Sequence, residues 1–165
     1  MVRLSEIWMR DPFLLSTRDA VDLSAGAAAG VGLPRAPARP LFWLYGTTDA
    51  PPAGVGPYSE FPATGFECYS SDDLVEWHGP VQCFRRPEGF WADTQFWAPE
   101  VHLFEGRLVM LATMKRKGKA AHRGVAVLES PSGRPEGPFV PLTRGPVTPN
   151  EWSCLDGTLV VENGV

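Results

Sequence analysis

The stretch FWAPEVHLFEGRLVML (residues 96–111) decides the fold class. Its apolar runs VHLF (101–104) and RLVML (107–111) are joined by Glu105-Gly106, and a two-residue turn ending in glycine between extended apolar segments marks a β-hairpin. Runs of the same kind lie on either side: PFLL (12–15), LFWLYGT (41–47), GFECYSS (65–71), GVAVLES (124–130) and GTLVVE (157–162). Aromatic and β-branched residues dominate many of them, as strands prefer. The 17 Gly and 17 Pro among 165 residues leave little room for helices of ordinary length, so the chain reads as all-β.

The order within the chain repeats. Asp11 precedes PFLL, LFWLYGT and GFECYSS, which runs into SSDDLVEWHGP; Glu100 precedes VHLF, RLVMLATM and GVAVLES, which runs into SPSGRPEGPFVPL. A third round opens at Asp156 with GTLVVE and meets an Asn-Gly pair, a hairpin signal with no return strand behind it. Units of about 40 to 50 residues that repeat four strands suggest propeller blades, here about 8–80, 96–142 and the start of a third at 154–165. Residues 18–40 hold 13 Ala, Gly or Pro in 23 and read as a surface loop, as does PPAGVGPYSE (51–60).

Composition bounds the function. A net charge of −4 gives no electrostatic reason to expect nucleic acid or an anionic membrane as partner. No apolar run is long enough to cross a bilayer and MVRLSEIWMRDPF has no signal-peptide pattern, so a cytoplasmic location is expected. Cys68, Cys83 and Cys154 are odd in number and irregularly spaced, which favours free thiols over disulfides or a metal site. His78, His102 and His122 lack metal-ligand spacing, and KRKGKAAHR (115–123) reads as a solvated hairpin tip.

In a propeller the innermost strand of each blade lines the central axis, so the acids heading those strands, Asp11, Glu100 and Asp156, are expected to converge on one mouth. Pro12 holds Asp11 out of helical conformation, and Gly157 after Asp156 permits tight turning or close approach. Clustered carboxylates push one another's ionisation apart, which suits acid–base work on a glycosidic bond.

WMRDPFLL (8–15), SSDDLVEW (70–77), FWAPEVHLFEGRLVML (96–111), SPSGRPEGPF (130–139) and CLDGTLVVENG (154–164) together resemble glycoside hydrolase family 43, in the family's order and over nearly all of the chain. The resemblance implies a five-bladed β-propeller acting on xylose- or arabinose-containing saccharides by inversion, of which this chain carries two blades and the start of the third. It makes Asp11 the general base and Asp156 the carboxylate that tunes and holds the general acid. That acid is a Glu on a later blade, beyond residue 165, so the 165 residues alone are expected to be inactive and to leave sheet edges open. Trp97 and Phe96 resemble the family's aromatic segment beside the sugar, with core packing the better reading for Phe96. Glu100 either contacts substrate or holds the blade, and Arg10 either contacts substrate or pairs with a neighbouring acid. The partner implied is an oligosaccharide or polysaccharide; no cofactor or metal site is expected within the chain, a calcium on the propeller axis belonging to the missing part. A non-catalytic sugar-binding propeller is the alternative from another class.

Overall fold

The computed structural model describes residues 1–17, 40–49, 52–56, 59–118 and 123–161. The loop expected at 18–40 falls almost wholly outside these residues, as do residues 119–122 of the basic run 115–123, with His122 among them, and the Asn163-Gly164 turn.

Glu105 and Gly106 have φ of 50° and 70°, the left-handed pair that a tight hairpin turn requires. They join β6 (Thr94–Phe104) to β7 (Arg107–Lys115), and β8 (Arg123–Glu129) and β9 (Val140–Pro141) complete an antiparallel sheet in the order β6-β7-β8-β9. The earlier strands make a matching sheet in the order β1-β5-β4-β3-β2, from β1 (Val2–Arg3), β2 (Arg10–Ser16), β3 (Phe42–Thr47), β4 (Gly65–Ser71) and β5 (Glu76–Arg85). The described residues are thus all-β, with two meandering four-stranded blades and one short extra edge strand. The inner strand of each blade, β2 or β6, carries the residues that head the repeat.

Aromatic packing joins the blades. Phe84 of β5 and Phe66 of β4 meet Phe96 of β6 at ring-centroid distances of 6.0 and 5.9 Å, and all three rings are fully buried. Burial of each such ring contributes on the order of 1.5–3 kcal/mol. Two hydrogen bonds fix how the sheets meet: Tyr45 Oη donates to the Pro135 carbonyl at 2.6 Å, and the Phe139 N–H donates to the Cys83 carbonyl at 2.7 Å. Cys68 and Cys83 lie buried in the first sheet, Cys154 is half-buried, and all three are free thiols.

Three sequence expectations need correction. The first sheet continues through Val81 to Arg85, so the boundary expected near 80 falls inside β5; the His78-Gly79-Pro80 run sits within an outer strand whose register shifts beside it. Val2–Arg3 pairs with Trp77 and Glu76, so the blade begins before residue 8. Residues 157–161 form no strand among the described residues. That segment instead lies along the second sheet: the Cys154 N–H donates to the Arg123 carbonyl at 2.9 Å, and a Cβ on Gly157 would come within 2.6 Å of Val125. Close approach is therefore what requires glycine at 157.

Candidate active site at the heads of the inner strands

The inner strands carry the same irregularity, opening at the second residue of β2 and at the fifth of β6. In the first blade Arg10 pairs with Thr47 and Phe13 with Tyr45, leaving Asp11 and Pro12 opposite Gly46 alone. In the second Trp97 pairs with Thr113 and Glu100 with Leu111, leaving Ala98 and Pro99 opposite Ala112. Each is a β-bulge, which bends a strand and re-aims a side chain. Asp11 and Ala98 both adopt left-handed backbone, with φ of 49° and 44°, and Asp156 has φ of 52°. A left-handed residue other than glycine costs roughly 1–2 kcal/mol, so three at corresponding places indicate a geometry the fold enforces.

Threonine hydroxyls secure these heads. Thr47 closes β3, and its hydroxyl donates to Asp11 Oδ2 and accepts from the Ala98 N–H, both at 2.9 Å. Thr113, at the same register in the second blade, accepts from the Asp156 N–H at 2.8 Å. The corresponding segments are therefore Arg10-Asp11-Pro12-Phe13, Trp97-Ala98-Pro99-Glu100 and Leu155-Asp156-Gly157-Thr158.

This register corrects the expectation of three acids in line. Ala98, not Glu100, occupies the head of the second blade; Glu100 stands two residues on, in the place of Phe13. Its carboxylate pairs with His102 Nε2 at 3.0 Å, and the His102 ring meets Phe13 edge-on at 5.3 Å. Glu100 and His102 thereby tie the inner strands together, a part for His102 that its lack of metal spacing had hidden.

Asp11 is exposed, and one of its carboxylate oxygens is already held by Thr47. Behind it Arg10 forms an ion pair with Asp49, Nη2 to Oδ1 at 3.7 Å, and the guanidinium lies 5.9 Å from the Trp8 ring. Neither Asp49 oxygen has a hydrogen-bond partner among the described residues. Burial pushes the Asp49 carboxyl up to about 6; Arg10 opposes that shift and the neighbouring Asp11 adds to it. An acid with a raised pKa beside Asp11 has no signal in the sequence, where Asp49 follows a strand without any motif around it.

The aromatic candidates are placed otherwise. Phe96 is fully buried in the core between the blades, so it offers no surface to a sugar. Trp97 is 7 % exposed, and one of its faces is covered by the Arg123 guanidinium at 4.9 Å. Arg123 also donates from Nε to Gln95 Oε1 at 2.9 Å. A cavity of about 330 Å³ lies beyond Arg123, between Trp91, Arg116, Pro146 and Trp152, and is not lined by Asp11 or Asp156. Among the described residues no group of three or more His, Cys, Asp or Glu is arranged to hold a metal ion.

The family model described as glycosyl hydrolases family 43 matches residues 57–165. Among solved structures the chain is similar to an endo-arabinase from Bacteroides thetaiotaomicron, at 26% identity with a TM-score of 0.67, over 98% of this chain and 44% of that one. It is similar also to a thermostable family-43 glycoside hydrolase, at 19% identity and a TM-score of 0.64 over 94% of this chain and 38% of that one. A β-xylosidase shares 23% identity and a TM-score of 0.55 over 86% of this chain and 37% of its own. No curated protein sequence matches the chain. The chain thus spans less than half the length of the solved proteins it resembles.

Proposed function

The chain belongs to glycosyl hydrolases family 43, and from that premise we propose that it contributes two carboxylates to an inverting glycosidase acting on arabinose- or xylose-containing saccharides. One observation carries the reading: Asp11 and Asp156 occupy corresponding left-handed positions, each tied to a buried threonine hydroxyl, Asp11 through its carboxylate and Asp156 through its backbone N–H. Asp11 is the general base. With Oδ2 held by Thr47, Oδ1 is the oxygen that takes a proton from water as the water attacks the anomeric carbon. Asp156 acts on the proton donor, holding it and keeping it protonated by like charge. We assign that donor to a glutamate outside these 165 residues, so the 165-residue chain alone shows no turnover. Two carboxylic groups and a water suffice for inversion, and the reading invokes no cofactor.

The likeness to an endo-arabinase supports an arabinose-containing substrate first, with xylosides as the second class. Arg10, exposed in part and adjacent to Asp11, is the polar contact we assign to a sugar hydroxyl. Proton NMR of the first product formed by the complete protein from arabino- and xylo-oligosaccharides tests the reading. Release of a sugar whose anomeric configuration is opposite to that of the substrate is expected. Retention, or calorimetric binding with no turnover, overturns it.

A further inference from the structure

We propose that Thr47 and Thr113 are positioning residues, two copies of one latch by which each blade sets the strand head of the next. The proposal rests on the catalytic assignment of Asp11 and Asp156 above. Both threonines are fully buried, both stand opposite the residue that precedes the bulge, and each hydroxyl accepts from the backbone N–H of a left-handed residue farther along the chain, Ala98 or Asp156.

A hydroxyl has one proton to give and lone pairs to accept with. At Thr47 the proton goes to Asp11 Oδ2, which leaves a lone pair for the Ala98 N–H. One side chain therefore fixes the rotation of the Asp11 carboxylate and ties that group to the backbone of the second blade. The β-branched side chain suits the task, because it restricts χ1 and keeps the hydroxyl in one direction. Thr113 repeats the second half of the device: its hydroxyl accepts the Asp156 N–H and holds the backbone from which that carboxylate projects. The distance between the two acids is thus set through blade two, along Asp11, Thr47, Ala98, β6, β7, Thr113 and Asp156. In this arrangement the second blade needs no acid of its own, because its work is to transmit position.

The test uses the complete protein and three variants, Thr47→Val, Thr47→Ser and Thr113→Val, each measured for amide hydrogen exchange and for kcat and KM. Loss of one buried hydrogen bond is expected to speed exchange about fivefold at the amide that loses its acceptor, Ala98 in Thr47→Val and Asp156 in Thr113→Val, while the other amide stays as it was. Misplacement of a reacting group is expected to lower kcat about 10- to 100-fold with KM within about twofold, and Thr47→Ser, which keeps the hydroxyl, is expected to recover most of the loss. Thr47→Ala removes the same hydroxyl without bulk and serves where valine prevents folding. Unchanged exchange at both amides overturns the latch, as does a serine variant no better than valine. A wild type that folds but cleaves no saccharide overturns the catalytic reading instead, and the exchange measurements still decide whether the threonines hold the heads.

Discussion

The two blades share a backbone and differ in what they hang on it. Arg10, Asp11 and Phe13 in the first correspond to Trp97, Ala98 and Glu100 in the second, with a proline after the head residue in both. Behind the head, Thr47-Thr48-Asp49 corresponds to Thr113-Met114-Lys115. The first blade thereby sets a half-buried Asp49–Arg10 pair next to an exposed carboxylate, while the second buries Lys115 against Glu60 and covers Trp97 with Arg123. The comparison teaches that the bulge, the left-handed head and the threonine are scaffold, repeated whether or not an acid is present. Chemistry enters through the side chain placed on it.

The blades should melt together, because their shared aromatic core leaves neither with a complete core of its own. Phe84→Ala is expected to cost about 3–5 kcal/mol and to lower a single cooperative transition, measured by circular dichroism. Two separated transitions would break the comparison at its root. Next in size, Ala98→Asp makes the heads alike. The Ala98 N–H and Asp11 Oδ2 lie within 2.9 Å of the same hydroxyl, so the added charge would sit beside Asp11. We expect kcat to fall about tenfold, as repulsion that displaces the Asp11 carboxylate from its working position should give.

Asp49 has no acidic counterpart in the second blade and gives the comparison a pH dependence. Its carboxyl is raised from 3.8 to about 6 in the folded protein, so folding favours the protonated form. The stabilising effect of that preference is present below about pH 4, is lost as pH rises from about 4 to about 6, and is absent above. Asp49→Asn is therefore expected to reduce the stability gained on moving from pH 7 to pH 5, read from denaturant midpoints at the two pH values. The smallest effect is expected for Ala98→Gly, which relieves a left-handed alanine and should stabilise the protein by up to about 1 kcal/mol.

Much of this architecture was legible in the sequence because hairpin chemistry is local. Glu105-Gly106 announced its turn, and the apolar runs from PFLL to GVAVLES lie in strands. Strand β5 was obscured by Gly79-Pro80, since an outer strand tolerates residues that would break an inner one. Matching acid to acid places the head of the second blade at Glu100, two residues past Ala98. Aligning RDPF on WAPE by their prolines would have set Ala98 beneath Asp11. The threonines that close LYGT and LAT in the second strand of both rounds are a usable signal as well. Asp49 gives none, because its raised pKa comes from burial, beside the Arg10 that partly offsets it.

The measurement closest to the centre of this account is the turnover of Asp11→Asn in the complete protein, on aryl α-L-arabinofuranoside and aryl β-D-xyloside, beside its melting temperature. With Asp11 as the general base, kcat falls at least about 10³-fold with the fold intact. Activity within tenfold of the wild type would contradict it, and would return Asp11 to the scaffold that it shares with Ala98.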